Sequence, residues 1–449
     1  MKPYAAMKDS GVEWLGRVPA HWGINRLKTI AVNVAEQTFE RSNGMVYIAL
    51  EHVESWTGRV TNDGAEPGDG QLKCFERGDV LFGKLRPYLA KVVHADSQVL
   101  CVGEFFVLRA RGVISPRYLG HLLRSKPAIE WVNSSTFGAR MPRADWAFVG
   151  DMRLPVPDPI EQVAIAQFLD HATSRINRYI RAKEKLIDLL EEQQHAIIDG
   201  AVTGRIDVRT GKPYRAYKSS GLDWLGDVPA HWDVRPAKGH LREVDERSVT
   251  GSEELLSVSH LSGVTPRSEK NVTMFEAESN VGRKLCKPGD VVINTMWAWM
   301  AALGVAKQHG LVSPSYAVYR PNKSSLLSSG YTELVLRSAP YRSEYTSRST
   351  GIRSSRLRLY PEAFLRIRLI SPPPEEQVSI TDYVAHETAN DTRARRLLAN
   401  EIATLEEYRA RLISDAVTGR IDVRELAAPQ SGNNALTRET GRKDTTRGP

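Results

Sequence analysis

One long phrase occurs twice in this chain. "SGVEWLGRVPAHW", Ser10 to Trp22, returns as "SGLDWLGDVPAHW", Ser220 to Trp232, with changes at Val12/Leu222, Glu13/Asp223 and Arg17/Asp227. A second pair of segments runs from Asp158 to Arg209 and from Pro373 to Arg424. They align through "EQV" and "AVTGRIDVR" at a single offset, so no residue is gained or lost between the two anchors. Elsewhere the copies match only in fragments, "RGDVLFGKLRPYL" opposite "PGDVVINTMWAWM" and "LLRSKP" opposite "VLRSAP". Copies of this size are tandem domains rather than the short units of a solenoid. The chain therefore reads as module, helix, module, helix, with the helices held to length while the modules have diverged.

The helices are legible from period alone. Seam positions fall at Ile165, Leu169, Ala172, Ile176, Tyr179, Leu186, Leu190 and Ile197, in steps of three and four, with polar Lys183 among them. The second copy gives Ile380, Val384, Ala394, Leu398, Leu405, Tyr408 and Leu412, interrupted at Glu387 and Asp391. A sustained 3.5-residue repeat is the pattern of a coiled-coil seam. Prolines in "PDPIEQ" and "PPPEEQ" block helix upstream, early Glu residues suit the positive helix end, and Gly204 and Gly419 supply the stops. Each helix of roughly 38 residues would be about 57 Å long. Two equal apolar stripes most simply bury one another. A closed antiparallel pairing is expected over a translated one, which would leave an open stacking surface. Period alone does not fix direction, and packing of each helix on its own module is the alternative.

The modules read as mixed α/β. Short β-rich runs ("MVYIAL", "GDVLF", "FFVLRA", "GDVVIN", "SYAVYRP") alternate with turn residues and helical pieces such as "PRYLGHLLRS". The expected fold class is α+β: two α/β domains separated by two long helices in an antiparallel coiled coil, with an internal pseudo-twofold repeat. The expected divisions are 1–157, 158–209, 210–372, 373–424 and a disordered tail, 425–449, which lacks any apolar period.

Composition narrows the class. Among 449 residues, 61 Lys+Arg against 53 Asp+Glu give +8, enough to suit a polyanion without proving one. Three cysteines, Cys74, Cys101 and Cys286, form no CxxC pair and fit a reducing compartment. No run of 18 apolar residues and no signal-peptide core occur, so a soluble, cytoplasmic protein without membrane contact is expected. No phosphate loop, glycine fingerprint or metal-nuclease spacing is present, and "SPPPEE" reads as the start of a helix. His21 and His231, in matching "PAHW" turns without acid or Cys neighbours in sequence, read as packing residues. No catalytic or metal-binding residue is assigned.

Three stretches suit nucleic acid. "FGKLRPYLAK" presents Lys84, Arg86, Tyr88 and Lys91; "TFGARMPRADW" presents Arg140 and Arg143; "SRSTGIRSSRLRLY" presents Arg348, Arg353, Arg356 and Arg358 with no acid among them. Arg grips phosphate or a guanine edge through paired hydrogen bonds. Trp297, with Trp299 in "NTMWAWM", is a stacking candidate, a buried aromatic pair being the plain alternative.

In order and on this duplicated frame, these motifs resemble the specificity subunit of a type I DNA restriction–modification system over about Tyr4 to Arg424. The resemblance implies a non-catalytic, sequence-specific DNA-binding subunit. Its two target-recognition domains would each read half of a split, asymmetric site on double-stranded DNA. The long helices would act as a spacer matched to roughly one DNA turn, about 34 Å, and as the docking surface for two methyltransferase subunits. Restriction/translocase subunits would join through those, in phage defence. It implies no cofactor in this chain, S-adenosylmethionine, ATP and Mg belonging to the partners, and an adenine-N6 methylating and endonucleolytic activity belonging to the complex. The competing expectations are a non-DNA scaffold with paired peptide-binding modules and a self-contained methyltransferase or nuclease.

Overall fold

The computed structural model describes residues 2–38, 47–61, 72–97, 99–136, 141–269, 279–351 and 357–426. The expected tail from 427 onward, and Arg140, Arg353 and Arg356, lie outside the described residues. The chain divides into two compact units, Met1–Lys183 with the stretch beginning at Ala399, and Glu184–Leu398.

In the first unit, strands β1 (Ala31–Val34), β2 (Val80–Gly83), β3 (Val92–His94) and β4 (Phe105–Ala110) form an antiparallel sheet in the order β1-β4-β2-β3. Helices α1 (Pro116–Arg124) and α2 (Lys126–Ser134) follow, then the long α3 (Pro159–Val202). The second unit repeats this with β5 (Leu241–Val244), β6 (Val291–Ile293), β7 (Leu303–Val305) and β8 (Ala317–Pro321) in the order β5-β8-β6-β7. Helices α4 (Ser329–Arg337) and α5 (Ala339–Arg348) and the long α6 (Pro374–Val417) complete it.

Both faces of each sheet are covered, which is why its strands read as continuous apolar runs. In the first unit Val80, Phe82, Phe106 and Leu108 join the helix-side core. Leu81, Val93, Phe105 and Val107 build a second cluster on the opposite face, as alternate strand residues must. The "GDV" turn that opens β2 and β6 has a specific task. Asp79 accepts the Glu76 N–H at 2.8 Å and two bonds from Arg109; Asp290 accepts the Lys287 N–H at 2.9 Å and two from Arg320. A nearly buried carboxylate is thereby satisfied twice over, by turn and by strand. The modules diverge around these sheets. The first adds a four-stranded sheet (Gln37–Thr38, Leu72–Phe75, Val99–Val102, Tyr47–Ile48), the second two separate strand pairs.

Each long helix has 44 residues, about 66 Å and longer than the sequence estimate. The prolines at 159 and 374 sit at their first positions, and the Asp158 side chain accepts the Glu161 N–H at 3.0 Å as a cap. In the first unit the early half of α3 packs with the late half of α6. Ile165, Ala166, Leu169, Ile176 and Ile180 share a core with Leu412, Ile413, Ala416 and Val417. Asn177 bonds Arg409, and Lys183 pairs with Glu401. In the second unit the late half of α3 (Ala201, Val202) meets the early half of α6 (Ile380, Val384), and Arg395 pairs with Glu191 at 2.9 Å. The two helices therefore run antiparallel. Leu190, Ile197, Leu398 and Leu405 are half-buried.

Leu186, Tyr179 and Tyr408 correct the expected seam, because all three are exposed, Leu186 at 45%. Ile180 and Arg409 take the inward places beside the two tyrosines. A helix of 3.6 residues per turn drifts away from a strict 3.5 register, so a pattern counted over many turns slips by a position. The polar interruptions of α6 also resolve: Glu387 points outward, Thr388 is buried in its stead, and Asp391 is truly buried.

Candidate nucleic-acid interface

The best-built polar sites are two equivalent anchors at the starts of the long helices. Glu161 is 1% exposed and accepts from the Tyr4 hydroxyl at 2.5 Å and the Trp22 indole at 3.0 Å, with His21 Nε2 at 2.8 Å. Glu376 is bonded by the Tyr214 hydroxyl and lies 2.8 Å from His231. In both anchors the tyrosine meets the tryptophan edge-on, at 5.7 and 5.8 Å. Burial, and then the bond to the carboxylate, pushes both tyrosine hydroxyls well above their ordinary pKa, so each stays a donor. His21 and His231, read from the sequence as packing residues without neighbouring acids, have a structural place here, and each also meets a carboxylate. Their acids stand far off in sequence, at the head of each helix.

The neighbouring glutamines fasten the modules to the same helices. Gln162 accepts from Ser115 N–H at 2.6 Å and donates to the carbonyls of Val113 and Pro157. Gln377 treats Ser328, Leu326 and Pro372 identically. At the other helix ends, Tyr118 donates to the Val417 carbonyl and Tyr331 to the Val202 carbonyl, each at 3.2 Å. Gly204 and Gly419 have φ of 75° and 72°, and a Cβ on either would overlap Pro229 or Pro19 of a "PAHW" turn. "EQ", "PAHW" and "AVTGR" are therefore parts of one joint. Their repetition was the available signal, but sequence separation concealed that they touch.

His21, Asp158 and Glu161 bring ligand-type atoms within 4.8 Å of one another. Glu161 is already occupied by donors, Asp158 caps α3, and Pro373 stands where the second copy would need the matching Asp. The group is an anchor.

The proposed DNA contacts fall into distinct states. Lys84 and Lys91 turn inward: their ammonium groups donate to the Gly103 and Leu50 carbonyls at 2.5 and 2.7 Å, and burial holds both below the ordinary lysine pKa. Arg143 is bonded to Glu104 at 2.7 Å, and Arg348 is paired with Glu344. Arg358 lies 5.9 Å from the Tyr360 ring. Arg86 and Tyr88 are exposed. Trp297, 49% exposed, is stacked on Trp299 at 6.1 Å in a short 3-10 turn, where the sequence left a buried strand pair open.

These residues occupy matching loops. The Lys84 carbonyl accepts from Ala144 N–H and the Thr295 carbonyl from Leu359 N–H, both at 2.9 Å, so Arg143 and Arg358 hold the same place. Pro87–Leu89 and Ala298–Met300 form the same 3-10 turn, closed by Ala90 and Ala301 in left-handed conformation, with φ of 48° and 58°. Arg86 is thus the counterpart of Trp297, and Tyr88 of Trp299.

The fold is that of a two-module, helix-spaced α+β chain. In sequence it is similar to the type I restriction enzyme EcoDI specificity subunit of Escherichia coli, 22% identical over 158 residues. That stretch is 34% of this chain and 35% of the relative, so the chain spans about a third of the length of the curated relative it matches. In fold it is similar to a chain solved in work on complex assembly and conformational transition of the type I R-M system. The TM-score is 0.60 at 19% identity, covering 90% of this chain and 99% of that one. The HsdS subunit from Thermoanaerobacter tengcongensis covers 90% of this chain and 98% of its own at 20% identity, with a TM-score of 0.40. No family model matches. The resemblance to type I specificity subunits read from the sequence therefore holds. Among the described residues, no helix is long and apolar enough to cross a membrane.

Proposed function

We propose that this chain is the DNA-reading specificity subunit of a type I restriction–modification assembly, binding a split, asymmetric duplex target and docking two methyltransferase subunits and, through them, restriction subunits. One observation carries the reading: the two units share the glutamate and glutamine anchors that fix each module to the head of a long helix, yet carry different side chains on the same exposed loop. Two readers on one frame suit two unlike half-sites. The chain itself would do no chemistry; S-adenosylmethionine, ATP and Mg would act on the partner subunits.

DNA titrations of the assembled complex at 50 and 200 mM salt test this. A protein neutralising six to ten phosphates loses about 10³–10⁵ in affinity across that range. Mapping modified adenines in exposed DNA then gives the target, expected in two parts separated by unread bases. A salt-insensitive affinity, or methylation without sequence preference, would leave the scaffold reading in possession.

A further inference from the structure

Two loops with the same 3-10 turn and left-handed closing alanine differ at the residue that enters the turn, Arg86 at φ 51° against Trp297 at φ −124°, and call for an account of what each tip does. The Met296–Ala301 loop offers two large apolar side chains to solvent, Met296 at 41% and Trp297 at 49% exposed, over a buried Ala298 and Ala301. It is held rigidly. The Asn294 side chain accepts the Met296 N–H at 3.3 Å, the Asn294 carbonyl accepts the Trp297 N–H at 3.0 Å, and Thr346 of α5 donates to the Trp299 carbonyl at 3.4 Å. The equivalent loop of the first unit presents a cation. Arg86, at φ 51°, is exposed and has no carboxylate partner among the described residues. A non-glycine residue is strained in that region, because its Cβ crowds the backbone. Such strain persists only where surrounding structure imposes it, and it collects at functional positions.

Resting on the DNA-reading function above, we propose that these loops are the sequence-reading tips of the two units and that they read by different chemistry. Arg86 donates paired hydrogen bonds to a guanine edge in one half-site, and Trp297 with Met296 enters between stacked bases as an apolar wedge in the other. The shapes fit the tasks. A guanidinium matches the two acceptors guanine shows in the major groove, and an indole offers no such pair. An exposed apolar tip is what partly unstacks a base step, most readily at a flexible pyrimidine–purine step. Arg358 lies beside the wedge loop and can meet a flanking phosphate, whereas Arg143, in the matching place beside Arg86, is bonded to Glu104.

The test uses the assembled complex and duplexes carrying 2-aminopurine at each adenine of the mapped target in turn. Wild-type binding is expected to raise 2-aminopurine fluorescence several-fold at one step of one half-site only. Trp297→Ala abolishes the rise, and Trp297→Phe, which keeps a flat wedge, retains most of it. Arg86→Ala leaves the rise intact and relaxes one G·C pair in the other half-site, discrimination there falling about 10–100-fold. No rise with the wild type, an undiminished rise with Trp297→Ala, or unchanged discrimination with Arg86→Ala would overturn the division of labour. A wild-type complex with no split DNA target would remove the parent reading and this one with it, before any variant was made.

Discussion

Glu161 and Glu376 hold the same place in the two units, but they are not equally satisfied. Glu161 accepts from Tyr4 and Trp22 and faces His21; Glu376 is bonded by Tyr214 and faces His231, while the buried Trp232 indole N–H finds no partner among the described residues. The difference concerns one hydrogen bond within an otherwise repeated joint. Packing, the edge-on Tyr–Trp contact and the close approach of a helix-end glycine to proline are preserved in both copies. A duplicated frame thus keeps its shape before it keeps its full set of hydrogen bonds. The modules themselves diverge more widely, in the strands added around each sheet and at exposed loop positions such as Arg86 against Trp297.

The comparison can be broken most forcefully at the carboxylates. Glu161→Ala strands buried donors and is expected to cost about 3–5 kcal/mol in urea unfolding. Glu376→Ala should cost about 1–2 kcal/mol less, having one donor fewer to strand. Equal losses would mean that the missing indole bond has no energetic weight. Next in size is Gly204→Ala, where a left-handed residue would also press on Pro229. A loss of at least about 2 kcal/mol is expected by calorimetry, and the same from Gly419→Ala against Pro19. A neutral result at either would remove the close-packed joint as the reason for "AVTGR".

The indoles sharpen the asymmetry further. Trp22→Phe forfeits a bond to a charged group and should destabilise by about 1.5–3 kcal/mol beyond the loss of ring volume shared with Trp232→Phe. The smallest expected effect is on the acid limb of the second unit. Hydrogen bonds from Arg320 and Lys287 lower Glu246 from its ordinary 4.5 to about 2. A carboxylate depressed on folding adds stability that is complete above its unfolded pKa and lost as pH falls through about 2. The Tm gap between wild type and Glu246→Gln should therefore narrow from pH 5 to pH 2. Because Glu246 is well exposed, the gap is small throughout.

Much of this was legible beforehand. Prolines at the helix starts, a 3.5-residue apolar period and β-rich runs bounded by Gly and Asp are local signals, set by backbone geometry within a few residues. They gave the two long helices, the strands at "GDVLF" and "FFVLRA", and the mixed modules. The exposed tips are partly legible: of the four nucleic-acid candidates in "FGKLRPYLAK", Arg86 and Tyr88 are exposed, but Lys84 and Lys91 look the same in sequence and turn inward to carbonyls of Gly103 and Leu50. Charge alone does not say whether a long flexible side chain will find an internal acceptor. At Tyr179 and Leu186 the period itself misled, since small angular drift accumulates along a helix.

What the sequence determined by itself was the repeat, the helices and their equal length, because these follow from residue order and local stereochemistry. Tertiary structure alone decided which pieces meet. His21 reaches Glu161, Trp232 takes the end of the first long helix at Gly204, and Trp22 takes the end of the second at Gly419. Burial of apolar surface and satisfaction of buried polar groups select such partners by proximity in space. Distance along the chain carries no trace of that choice.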